Sequence, residues 1–215
     1  GAPNAGGYRI DGVISELGAG SSLVKTGANT VYLSGSNTFT GGVTINGGRL
    51  SVGLNSAGTS SGTVLGTGPL TINSGTFEIN GNVAGVVSQT VGSLSGSSGA
   101  VISVSNRNLT FGSLNTNTVY AGSLSGNPTL IKVGTGTTTL FSAGSTTVGN
   151  PTLTVSQGAV KFGASKNIST FGRLDGTLDL DGFSTTGSLG GTGLNFSLLT
   201  GSGTFTNTSA QLFLG

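Results

Sequence analysis

The chain has 215 residues, enough for a sizeable core, but 42 are glycine, only 7% are charged, and His, Cys, Met and Trp are absent. Without His or Cys there is no zinc-finger ligand set, thiol nucleophile, disulfide framework or Ser-His-Asp triad. A net charge of +2 with a mean hydropathy of +0.22 is unlike a disordered chain, and the eight basic residues stand singly rather than in a stripe that would track nucleic acid. Taken in chain order, the predicted elements are short strands. Val31-Tyr32-Leu33, Val43-Thr44-Ile45, Leu50-Ser51-Val52, Leu70-Thr71-Ile72 and Phe77-Glu78-Ile79 alternate with period two. Leu109-Thr110-Phe111, Leu153-Thr154-Val155, Val160-Lys161-Phe162 and Leu178-Asp179-Leu180 follow with the same alternation. Turn signals such as Asn46-Gly47-Gly48, Asn73-Ser74-Gly75, Asn80-Gly81 and Asp181-Gly182 separate them. No apolar stripe at helical spacing runs longer than one turn, and no apolar run approaches the roughly 20 residues that span a bilayer. This segment is therefore not expected to insert in a membrane. The chain starts at Gly1 without a basic-then-apolar leader, which reads as a mature or excised piece.

Internal repetition narrows the architecture. Ser22-Leu23-Val24-Lys25-Thr26-Gly27 returns as Thr129-Leu130-Ile131-Lys132-Val133-Gly134, and Gly48-Arg49-Leu50-Ser51-Val52-Gly53 as Gly158-Ala159-Val160-Lys161-Phe162-Gly163. Gly75 to Gly81 returns as Gly176 to Gly182, and Val91 to Gly96 as Thr186 to Gly191. Four matches in one order indicate a degenerate duplication, about 11–112 and 118–215, inside a single domain spanning 1–215. A sandwich or barrel has no reason to repeat in this way. A solenoid does, because each coil touches only its neighbours. The expected fold is all-β, a parallel β-helix (β-solenoid) of about ten coils. Its inner ladders should include Leu33, Ile45, Leu50, Val52, Ile72, Phe77, Ile79, Val160, Phe162, Leu178 and Leu180.

The run from Leu23 to Leu50, with Leu23-Val24-Lys25-Thr26-Gly27 and Asn37-Thr38-Phe39-Thr40-Gly41-Gly42 at its centre, closely resembles the autotransporter-associated β-strand repeat. The second copy, Leu130 to Phe162, is weaker, because Ser145 to Asn150 replaces the Asn-Thr-Phe-Thr-Gly-Gly segment. The resemblance implies a right-handed parallel β-helix exported to the extracellular surface of a bacterial cell. The family's C-terminal membrane barrel has no counterpart in these residues, so self-translocation is not carried over.

Candidate sites are few. Asp175, Asp179 and Asp181 form the densest acidic group, and Asp179 and Asp181 would share one strand face. Paired carboxylates serve glycosidases or, with carbonyls, hold Ca²⁺. The matching positions in the first copy are Glu78 and Asn80, as drifting solvent-facing positions would be, so these two aspartates are only weak metal candidates. No catalytic residue and no cofactor are expected. The threonines at 137–139 read as ordinary strand formers rather than an outward ladder. Phenylalanines alternate inward, whereas Tyr32 points outward between Val31 and Leu33 and is the candidate surface contact. Ala210 to Gly215 is strand-like and uncharged, so Leu212, Phe213 and Leu214 are candidates for head-to-tail assembly with a second copy. The expected function is a non-enzymatic structural protein of the cell surface, a stalk or fibre subunit with an adhesin role. The alternative is a carbohydrate-binding or polysaccharide-degrading β-helix. Host or matrix glycans and proteins are the expected partners, and nucleic acid is not.

Overall fold

The computed structural model describes residues 7–53, 64–80, 88–141, 147–148, 151–163, 170–179 and 204–206. Among the described residues all regular structure is β, in strands of two to five residues. Every pairing between them is parallel. Parallel neighbours need a long return path, and here the chain supplies it by winding rather than through a helix. Ala100–Val104 lies on a seven-stranded face, Asn108–Phe111 on a five-stranded face and Thr118–Tyr120 on a nine-stranded face; Ser123–Gly126 is back on the first. The expected parallel β-solenoid is thus the observed fold. The faces stack seven, five and nine strands among the described residues, fewer than the ten coils expected. A turn takes as few as 18 residues, from Val160 to Leu178, and as many as 27, from Val43 to Leu70.

Alternation fixes the interior. On the seven-stranded face Leu33, Val52, Ile79 and Val104 stack in register, as do Leu50, Phe77, Ile102 and Leu124. Leu33, Ile45, Leu50, Val52, Ile72, Phe77, Ile79, Val160, Phe162 and Leu178 are all buried, as their strand parity requires. Each such side chain contributes about 1.5–3 kcal/mol of transfer free energy. Leu180 lies outside the described residues. Phe141 and Phe162 stack inside with ring centroids 6.0 Å apart. Thr138 also turns inward, 1% exposed, with its hydroxyl 3.2 Å from that of Thr118 one rung earlier, so the threonines at 137–139 do not all share an outer face.

The duplicated segments do not share faces. Leu23–Lys25 is on the nine-stranded face, whereas its match Thr129–Lys132 is on the five-stranded one. Arg49–Val52 and Gly75–Ile79 are on the seven-stranded face, and their matches Ala159–Phe162 and Thr177–Asp179 are on the nine-stranded face. From Lys25 the register runs through Ile45, Ile72 and Gly96 to Tyr120, four full turns, and two more faces lead to Lys132. The second copy is therefore rotated by one face. What the sequence repeats is a strand–corner–strand unit. That unit needs only a rung above and a rung below, and every face supplies these.

Candidate functional site

The corner after Leu23–Lys25 shows what the repeat encodes. By strand alternation Lys25 shares the inward side with Leu23, and its side chain is 5% exposed. Its ammonium donates to the carbonyls of Thr26 at 2.8 Å, Gly27 at 2.8 Å and, one rung on, Gly47 at 2.9 Å. Lys132 repeats the device on another face. It is fully buried and donates to Val133 O at 2.6 Å, Gly134 O at 2.7 Å and Gln157 O at 3.5 Å. Burial pushes both amines below the ordinary lysine range. The carbonyls that accept from them favour the charged form and keep it tolerable without a carboxylate.

The same corners carry a glycine ladder. Gly27, Gly48 and Gly75 have φ of 71°, 64° and 93°, and Gly112, Gly134 and Gly158 have 110°, 69° and 65°. These left-handed corners turn the carbonyls toward the lysine, and rungs close together so tightly that a side chain has no room. A Cβ added at Gly75 would fall 2.5 Å from Gly48 O.

The Asn37-Thr38-Phe39-Thr40-Gly41-Gly42 segment joins three successive rungs. Asn37, 2% exposed, accepts from Ile14 N–H at 2.7 Å and donates to Val64 O at 2.6 Å. Phe39 fills the core beside it. The Thr40 hydroxyl accepts from Gly20 N–H at 2.9 Å and donates to Glu16 at 2.7 Å. Replacing Asn37 by Ala strands a partly buried N–H and a buried carbonyl together, and we expect a loss of about 2 kcal/mol in urea unfolding. Asn37→Asp should recover only the bond from Ile14.

Two carboxylates fasten the first coil. Glu16 accepts from Thr40 and from Ser21 N–H at 2.8 Å, and Asp11 accepts from the Ser34 hydroxyl and from Arg9 Nε at 2.6 Å. Those bonds, led by Thr40 for Glu16 and by Ser34 for Asp11, hold both groups below the usual carboxylate range. A depressed carboxyl adds stability above its unfolded value, about 3.9–4.3, and loses it as pH falls from there through the folded value. In hydrogen exchange measured down through that window, protection relative to the unfolded chain at the same pH is expected to fall first at residues 11–21, while the amides of Val101 to Val104 stay protected.

Asp175 pairs with Arg173, and Asp179 stands in register beside Lys161 on the preceding rung. Asp181 lies outside the described residues, as do Leu212, Phe213 and Leu214. No group of three or more possible metal ligands occurs among the described residues. Tyr32 is half-buried on the outer side, between Arg9 and Ser51 in register. The corner lysines were the residues that sequence reasoning missed. Their signal was recurrence at one motif position, since nothing else in the sequence distinguishes them from solvated lysines.

The fold and its corners define a class of protein, a parallel β-solenoid assembled from a repeating strand–corner unit. Residues 23–52 match the family model described as passenger-associated-transport-repeat, and the lysine corner and the Asn37 segment both fall within that match. The repeat and the solenoid around it fit an autotransporter passenger β-helix with repeats. No curated protein and no solved structure matches the chain.

Proposed function

We propose that this chain is a non-enzymatic structural segment of a bacterial passenger, a β-solenoid stalk held outside the cell. The observation that carries this reading is the repeat match at residues 23–52 within a stack whose interior is filled by side chains. A filled solenoid resists bending because every rung is hydrogen-bonded to the next, and it needs no disulfide to persist outside the cell. The absence of Cys makes a direct test available. A Ser98→Cys reporter, at an exposed corner, is introduced into the protein as its own cell makes it, with the unsubstituted protein as control, and intact cells are treated with a membrane-impermeant maleimide. Labelling of intact cells supports the proposal; labelling only after lysis overturns it.

Head-to-tail stacking is a second reading, favoured by the first rung. Tyr8 and Ile10 are register partners of Val31 and Leu33 and so point inward, yet they are 65% and 40% exposed. A further rung laid against them would cover them and pair the edge of Gly7–Ile10 that has no strand partner among the described residues. Filaments in electron micrographs that disappear in Tyr8→Lys support stacking. A monodisperse monomer at high concentration removes it and leaves the stalk.

A further inference from the structure

The outer side of the seven-stranded face carries a row with unmet hydrogen-bonding capacity. Arg9, Tyr32, Ser51 and Glu78 follow one another in register on consecutive rungs. Tyr32 leans back over Gly7, where a Cβ would fall 2.7 Å from its Cε2, so the missing side chain makes room for the ring. On one side of the ring, Arg9 Nε is occupied by Asp11 while its Nη2 is buried without an acceptor. On the other, Ser51 is fully buried, and its hydroxyl has no partner. Ser51 is shorter than the Tyr32 and Glu78 side chains on the rungs either side of it, and it is covered rather than open. Glu78 is bridged at 2.8 Å by Arg49, whose side chain is 48% exposed, and such a bridge opens at little cost. Buried polar groups without partners are uncommon and mark places where a water, ion or ligand completes the bonding. Here two of them flank an aromatic ring, from the rungs before and after it, about 9.6 Å apart.

We propose that this row is a binding site for a neutral, linear saccharide lying along the stacking axis. One sugar ring packs on Tyr32, and its hydroxyls reach Arg9 Nη2 and the Ser51 hydroxyl once the side chains covering these two buried atoms move aside. The cations and carboxylates of the row balance, Arg9 with Asp11 and Arg49 with Glu78, so it offers donors and acceptors without net charge. Hydroxyls, which donate and accept, match that mixture better than a carboxylate does. The inference adds a ligand class to the stalk reading and does not depend on where the chain is displayed.

The test is isothermal titration of the purified chain with cellohexaose, and in parallel with a polygalacturonate hexamer as the acidic counterpart. Saturable cellohexaose binding is expected, at least tenfold weaker in Tyr32→Ala and several-fold weaker in Ser51→Ala, with thermal midpoints close to that of the parent. Gly7→Ala, which pushes the ring off its seat, should weaken binding while leaving Tyr32 in place. No saturable cellohexaose binding into the millimolar range, equal binding by Tyr32→Ala, or preference for the acidic hexamer would each overturn the proposal. Surface labelling through Ser98→Cys is unaffected by any of these outcomes, so failure here is distinguishable from failure of the stalk reading.

Discussion

Gly134→Ala is expected to destabilise the solenoid by about 3 kcal/mol or more, read as a lowered urea midpoint with little change in slope. Two effects add. At φ of 69° an L side chain is strained, and the new Cβ would fall well inside contact distance of Gly112 O on the preceding rung, and 2.7 Å from Asn115 Oδ1. Backbone blocks the way, so no side-chain rotation relieves the clash. The rungs must separate locally, and that breaks parallel pairing on either side of the corner. Gly99→Ala is the control. Its φ is not in the left-handed region, and the nearest atom to an added Cβ is 4.0 Å away, so the change should be close to neutral. If both substitutions had the same small effect, the glycine ladder would not be what sets rung spacing.

The second large effect is expected at Lys132. Lys132→Met keeps the length and apolar stem of the side chain but removes the donor shared by the carbonyls of Val133, Gly134 and Gln157. Leaving those acceptors in a site closed to water should cost about 2–4 kcal/mol, since each unmet buried group carries a desolvation penalty of about 1–3 kcal/mol. Lys161→Met provides the comparison. Lys161 projects from the outer side beside Asp179, where an ion pair is worth at most about 1 kcal/mol, so the substitution should cost no more than that. Lys132→Arg is a sharper probe. The guanidinium offers enough donors, but it is planar and larger, and three carbonyls converging on one point suit a compact ammonium. It should recover less than half of the loss. A Lys132→Met variant as stable as the parent would show that the cage contributes no net stability.

These corners bear on how the solenoid is built. The Lys25 and Lys132 cages are nearly the same in their partners but sit on different faces of the coil, separated by a non-integral number of turns. A repeat that specifies a corner can be copied, or lost by drift, at any of the three corners without changing the hydrogen-bond ladder. Long solenoids are then extended by adding corner units of varied spacing, consistent with turns of 18 to 27 residues in this chain.

Much of the fold was legible in the chain itself. Period-two alternation in triplets such as Leu50-Ser51-Val52 and Phe77-Glu78-Ile79 fixes which side chains face inward, because a strand has only two sides. Asn-Gly and Gly-Gly steps mark the corners, and recurrence in one order marks a solenoid. Strands such as Ala100–Val104 and Ser123–Gly126 were not singled out beforehand. Ala100–Val104 alternates with plain period two and was readable, whereas Ser123–Gly126 carries one apolar side chain among Ser and Gly and is a strand because the rungs on either side pair with it. The sites divide in the same way. The outward direction of Tyr32 followed from parity, but its position between an unpaired guanidinium and an unpaired hydroxyl depends on register between rungs some 20 residues apart. Likewise the sequence shows two lysines at one motif position and stops there. Only stacking brings the Gly47 and Gln157 carbonyls of the next rung onto Nζ, so only the tertiary structure turns a scattered cation into the buried tie of a corner.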